Sequence, residues 1–313
     1  MNNEVRSLVA ISNDVYAGGF FTTAGGSPAY GIARWTGSAW LPVGGGVGGS
    51  VRQLVLFRNE LYVAGSFLRV TNYDGSAIAA NNIAKWNGAN WSALGLGTDS
   101  TVFALAASGD YLYAGGAFTS AGGSPANHVA KWDGAAWSAL GAGINGFYGY
   151  VYALAVSGSD MYAGGDFTYA GGTGYQWDAR FIAKWDGNSW FALGAPTRNG
   201  VDNTVYALSV SGTNLFSGGY FLTAGGQPTP YFARTTIAAA RGRFSNPTYS
   251  IATGFQCTFS DASVGQPYRI QSASSLSPAI WTDITNISYA SPVVIVDPSP
   301  SVGTLKYFRA VSP

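Results

Sequence analysis

The stretch "VYALAVSGSDMYAGGDFTYAGG" at Val151–Gly172 is followed, eight residues later, by "FIAKWDGNSWFALG" at Phe181–Gly194. Versions of this phrase also begin at Val5, Val51, Val102 and, in shortened form, Val205, so the starts are 46, 51, 49 and 54 residues apart. Self-similarity at a near-constant period means one supersecondary unit stacked several times. Each copy holds four short apolar runs, which in the fullest copy are Val151–Val156, Met161–Gly165, Phe181–Trp185 and Trp190–Leu193. They are rich in β-branched and aromatic residues and are bounded by Gly, Ser, Asn or Asp, the signature of strands. No window long enough for a helix carries a 3.6-residue stripe. Ser157–Asp160 and Asp186–Ser189 supply tight turns, since Gly and Asn accept the positive φ of hairpin loops. The expected unit is a four-stranded antiparallel meander.

Meanders repeated every 40–50 residues predict the blades of a β-propeller. The motif of an apolar strand ending in Gly-Gly, then an aromatic, then Asp-Gly and a Trp appears as Tyr113-Ala-Gly-Gly116 with Trp132-Asp-Gly134 and Trp137. It appears again as Tyr162-Ala-Gly-Gly165 with Trp185-Asp-Gly187 and Trp190. In this the chain resembles the kelch-like propeller repeats of secreted bacterial proteins, over roughly residues 5–237. The resemblance implies a fold and little about function, because propellers host many unrelated activities. Eight of the ten Trp residues fall in the pairs Trp35/Trp40, Trp86/Trp91, Trp132/Trp137 and Trp185/Trp190, so their expected role is packing. The fifth copy supplies three strands (Val205–Val210, Leu215–Gly219, Tyr231–Thr235) but no Trp-x-x-Leu strand. Only four residues precede Val5, too few to provide it. The expectation is an all-β chain: a five-bladed β-propeller with an incomplete last blade and an open outer edge, over residues 1–240.

After a short linker at 241–247, residues 248–313 alternate again: Thr248–Ile251, Phe255–Phe259, Tyr268–Ser272, Ile280–Ile284, Val293–Val296 and Tyr307–Val311. About 65 residues of short strands predict a small β-sandwich of immunoglobulin or fibronectin type. "PYRIQSASSLSPAIWTDI" and "YFRAVSP" resemble C-terminal modules of secreted bacterial proteins, which implies a surface or assembly module with Trp281 in its core.

The 313 residues carry 44 Gly and only 10% charged residues, with a net charge of +1. That argues against a nucleic-acid partner, which needs a basic face. No run of eighteen apolar residues predicts a membrane span, and no leader pattern precedes the first repeat. The single cysteine, Cys257 between Phe255 and Phe259, reads as a small core residue. Low charge with many Gly, Ser, Thr and aromatic residues predicts an extracellular or cell-surface protein.

Catalysis needs a constellation, and the inventory is thin. The one histidine, His128, opens a third strand where other copies place Gly31, Asn82, Phe181 and Tyr231; this variety predicts a surface position. One His and one Cys cannot make a zinc site. The copper oxidases that share the kelch-like propeller need several His and a Cys–Tyr crosslink, which this chain lacks. Asp110, Asp133, Asp160 and Asp186 lie in turns, where Asx turns explain them. No EF-hand loop and no phosphate loop occurs. The expectation is no enzyme, no cofactor and no metal.

Meander topology brings the loop from second to third strand, and the loop into the next blade, to one face. These segments are 68–81, 141–150, 170–180 and 194–204. Their exposed candidates for binding are Tyr73, Asp74, Phe147, Tyr148, Tyr150, Tyr175, Trp177, Asp178 and Arg198. Aromatics there would stack on sugar rings or anchor a protein. Two further patterns are a cation in each third strand (Arg34, Lys85, Lys131, Lys184, Arg234) and the second position of each first strand (Arg6, Arg52, Phe103, Tyr152, Tyr206). The favoured reading is a non-enzymatic structural protein that self-assembles into filaments or a surface layer through propeller–sandwich contacts. Its partners would be other copies of itself. The alternative is a recognition propeller for surface glycans or proteins, and a carbohydrate-active enzyme is the distant third.

Overall fold

The four tryptophan pairs sit directly opposite one another across third and fourth strands, as Trp35↔Trp40, Trp86↔Trp91, Trp132↔Trp137 and Trp185↔Trp190. Their ring centroids are 5.2 to 5.5 Å apart, the tilted contact aromatic pairs favour. The computed structural model describes residues 1–146, 148–172, 179–195 and 198–237, and the backbone of six strands between Arg243 and Val311. Every regular element among them is a strand. The first repeat forms an antiparallel sheet in the order Val5–Ile11, Asp14–Gly19, Ile32–Trp35, Trp40–Pro42. The third (Val102–Ser108, Tyr111–Gly116, Val129–Trp132, Trp137–Ala139) and fourth (Tyr150–Ser157, Asp160–Asp166, Ile182–Trp185, Trp190–Ala192) repeat that order. These are the four-stranded antiparallel sheets of a propeller, as the repeat predicts.

The second repeat departs from the pattern. Its first two strands, Gly46–Phe57 and Glu60–Thr71, are each 12 residues long, and Ala77–Ala79 adds a fifth strand beside them. The segment 68–81, expected as loop, is therefore half sheet. Among the described residues the fifth repeat has three strands, Val205–Ser211, Asn214–Gly219 and Phe232–Thr236.

Turn chemistry follows the sequence. Asp133 Oδ1 accepts hydrogen bonds from the amides of Ala135 and Ala136, and Asp186 Oδ1 from those of Asn188 and Ser189. Both carboxyls are held below their ordinary range by these amides. The turns are Asx turns, and the following Gly134 and Gly187 take φ of 106° and 100°.

One expectation is corrected. His128, Asn82, Phe181 and Tyr231 have φ of 62°, 65°, 62° and 67°, and Gly31 has 71°. The position is buried at Asn82, partly exposed at His128 and Phe181 and exposed at Tyr231, and what is common to all five repeats is a left-handed backbone. Its amide donates to the carbonyl of Phe21, Phe67, Phe118, Phe167 or Phe221, and its carbonyl accepts from the last glycine of the preceding strand. Those five Phe side chains are buried. The backbone closes the same loop every time, whatever side chain hangs from it.

Loops of neighbouring repeats meet. Ile144–Asn145 pairs with Tyr169–Ala170, and isolated bridges join Thr98 to Ala121 and Val201 to Ala224. The loop leaving one sheet thus pairs with the second-to-third loop of the next. Asn2, Asp99 and Asp202 seal this arrangement by accepting from the amides of Thr22/Thr23, Thr119/Ser120 and Leu222/Thr223.

Compact unit one comprises residues 1–155, 161–209 and 216–234; unit two comprises 156–160, 210–215 and 235–313. The C-terminal strands form two three-stranded antiparallel sheets. One runs Arg243–Ser250, Gly254–Ser260, Val293–Asp297; the other Thr282–Ser288, Pro267–Ala273, Tyr307–Val311. The strand Arg243–Ser250 begins inside the stretch read as a linker.

Candidate functional site

Because the repeats stack in register, the second residues of successive first strands become neighbours. Arg52 Cζ lies 5.5 Å from the Phe103 ring centroid. Phe103 lies 5.2 Å from Tyr152, and Tyr152 lies 5.4 Å from Tyr206. Arg6 precedes them, paired with Glu4 at 2.6 Å. The outcome is an arc with a cationic end and an aromatic end, running across the first strands of the propeller repeats.

Two loop candidates join it. Tyr150 packs edge-on to Phe103 at 6.2 Å and to Tyr152 at 6.2 Å, and Tyr148 lies 5.7 Å from Tyr150. His128 meets Tyr150 at 5.9 Å. Burial pushes the Tyr152 phenol up, with Asp166, Tyr206, Tyr150 and Tyr148 adding to it, so its hydroxyl stays protonated at neutral pH. Burial, then the neighbouring Arg6, draw the Arg52 guanidinium down, with Glu4 opposing. Arg52 Nε is buried and without a hydrogen-bond partner. Burial likewise lowers His128, and its Nδ1 has no partner. Such an arc suits planar or ring-shaped groups on its aromatic end and a carboxylate at Arg52, whose guanidinium offers two parallel donors.

The other loop candidates have structural work. The Tyr73 hydroxyl donates to the Pro42 carbonyl at 2.8 Å and its ring stands edge-on to Trp86 at 5.7 Å. Asp74 Oδ1 accepts from the amide and hydroxyl of Ser76, which hold its carboxyl below the ordinary range. Phe147, Tyr175, Trp177 and Asp178 lie outside the described residues. Arg198 starts the short strand Arg198–Asn199, opposite Ala195, and only its backbone is described.

Four of the five third-strand cations are engaged within their own repeats. Lys85 Nζ pairs with Glu60 at 2.8 Å and Arg34 with Asp14 at 3.4 Å. Lys131 and Lys184 sit over Tyr111 and Phe191, at 4.5 and 5.7 Å, rather than over the neighbouring Trp. These partly exposed pairs are worth at most about 1 kcal/mol each.

Sequence reading missed Arg69. It projects from the long ribbon of the second repeat and lines two clefts, of about 450 and 560 Å³, on either side of it. Phe20, Phe21, Tyr30 and Val47 line the smaller, and Phe67, Asn82, Asp99 and Ser100 the larger. The available signal was that "FLRVTNYDGS" replaces the "FTTAGGS" of the first repeat. Among the described residues no group of three His, Cys, Asp or Glu could hold a metal ion, and no helix is long and apolar enough to cross a membrane.

No protein-family model matches the chain and no curated protein matches it. Among solved structures it is similar to the computationally designed Ika8 protein, at 15% identity and a TM-score of 0.41, over 100% of this chain and 97% of that one. It is also similar to the WD40 β-propeller domain of Doa1, at 11% identity and a TM-score of 0.45, over 93% and 88% of the two chains. Sqt1 of Saccharomyces cerevisiae is 12% identical, with a TM-score of 0.38, over 82% and 69%. The likeness is one of fold.

Proposed function

We propose that this chain is a non-enzymatic structural protein of the cell surface or extracellular space, an interaction scaffold that assembles with copies of itself. In this reading the five repeats are blades of a kelch-like propeller of the secreted bacterial type, and the two C-terminal sheets form a sandwich module. The observation that carries it is the unfinished fifth sheet. Among the described residues its last strand, Phe232–Thr236, has one neighbour, where the third strand of every other repeat has two. Four of its five residues are exposed. A free strand edge is a template for another chain. The sparse charge, 10% of residues, sets little repulsion against association. Sedimentation and electron microscopy over a rising concentration series test the reading. Mass should climb with concentration, and a strict monomer throughout would overturn it.

The arc of Arg52, Phe103, Tyr152 and Tyr206 favours a second reading, recognition of glycans or proteins. Tyr152 is its centre, touching both ring neighbours. If a glycan array finds a ligand, Tyr152→Ala should weaken it about 30-fold, the loss of an anchor worth about 2 kcal/mol. A ligand indifferent to that change would refute the arc as its site.

A further inference from the structure

Four times along the chain, one sheet is capped by the next through the same apolar contact. A Cβ placed on Gly18 would lie 2.5 Å from Val51 Cγ1 and 3.1 Å from Leu54. On Gly115 it would meet Val151 and Leu154, and on Gly164 it would meet Val205 and Leu208. The second repeat places Ala64 there, packed with Val102 and Leu105. Beside each seat stands a third-strand aliphatic, Ile32, Ile83, Val129 or Ile182, none more than 4% exposed. The incoming Val51, Val102, Val151 and Val205 are all 0% exposed.

Among the described residues, both ends of this series are uncovered. On the fifth sheet the seat is Gly218, whose Cβ would find, among the described residues, only Tyr231 and Ala207 of its own repeat, at 3.8 and 3.9 Å. Its flanking residue is Phe232, 59% exposed and stacked on Phe216 at 6.0 Å. On the first sheet the incoming residues are Val5 and Leu8, 41% and 64% exposed. One face of the molecule is a seat without its cap, and another is the matching cap without its seat.

We propose that a second copy of this chain fills the gap: Val5 and Leu8 of one molecule pack on Gly218 and Phe232 of another, continuing the sheet-on-sheet contact already made four times within each chain. The inference rests on the self-assembly reading above and adds a packing contact between sheet faces to the free strand edge. Because seat and cap are different surfaces, the contact is head-to-tail, giving a ring if the rotation closes and a filament if it does not. The faces are apolar, so association strengthens through burial of exposed Val, Leu and Phe surface.

Cysteine pairing tests it. The Cβ of the equivalent pairs Gly115–Val151 and Gly164–Val205 would be 3.1 Å apart, close to the roughly 3.5–4.5 Å of a disulfide. In a background carrying Cys257→Ser, the variants Val5→Cys and Gly218→Cys are purified separately, mixed and oxidised. The expected product is a mixed covalent dimer, with yield rising with concentration, and far less of either self-pair. Leu8→Asp should weaken association at least ten-fold and leave thermal unfolding of the monomer unchanged. A chain carrying both cysteines that links only within itself would overturn the proposal, because the propeller would then close on its own ends. Continued association of Leu8→Asp, with no mixed dimer, would also overturn it while leaving self-assembly standing. A protein monomeric throughout would remove both.

Discussion

Gly165→Ala should abolish the folded state at ordinary temperatures, or lower its stability by about 4 kcal/mol or more, an exceptional loss that follows here from forced displacement of backbone. A Cβ at Gly165 would sit against the backbone carbonyl oxygen of Tyr150, at 1.9 Å. No rotamer relieves a clash with main chain. Gly19, Gly65, Gly116 and Gly219 meet the carbonyls of Glu4, Ser50, Thr101 and Thr204 at 2.0 to 2.2 Å, so the last glycine of the motif is a requirement of close strand approach in every repeat. Its neighbour obeys a softer rule. At Gly164 the obstacle is the Val205 side chain at 2.6 Å, which can shift, and Ala64 shows that a methyl is accommodated in the second repeat. Gly164→Ala should therefore cost about 1–3 kcal/mol, the range of overpacking. Gly218→Ala should be neutral or gain about 0.5 kcal/mol from reduced chain entropy, because its site is open. Urea unfolding of the three variants checks the order, and equal losses would refute the geometry.

Trp190→Ala should remove about 3–5 kcal/mol, as large-to-small changes at buried aromatics do. Trp190 is 5% exposed and its ring lies 5.4 Å from Trp185. Its Nε1 also donates to the Leu140 carbonyl of the preceding repeat at 2.8 Å, as Trp137 Nε1 does to Leu94. The side chain therefore packs its own sheet and fastens it to the one before. Trp40→Ala, at a half-buried Trp in the first repeat, should lose clearly less. Denaturant midpoints compare the two directly, and a smaller loss at Trp190 would contradict this account.

How far the sequence was legible depended on whether a residue's partner lay inside its own repeat. The Trp pairs and Asp-Gly turns are local, so spacing alone placed them. The unfinished fifth sheet was legible for the same reason, as a missing Trp strand. His128 was misread because side-chain variety at a position implies exposure only if the backbone is ordinary. There the φ of about 62° is the constant, and the side chain is incidental to it. Tyr73 is exposed, as its loop position predicts, yet its hydroxyl also reaches the Pro42 carbonyl 31 residues back, a contact no local pattern announces. The loop tyrosines Tyr148 and Tyr150 and the first-strand positions Phe103 and Tyr152 were each visible as separate patterns. That they form one cluster depends on how far one sheet is turned against the next, which periodicity does not encode.

The lengthened ribbon of the second repeat, with Arg69 near its end, has a consequence for orientation. Near-identical repeats give an encounter several almost equivalent phases, and a partner that recognised only the shared motif would settle in any of them. A single ribbon of 12-residue strands breaks that degeneracy. For a partner it would work as a keyway, leaving one angular setting that meets both the common surface and a feature found once among the described residues.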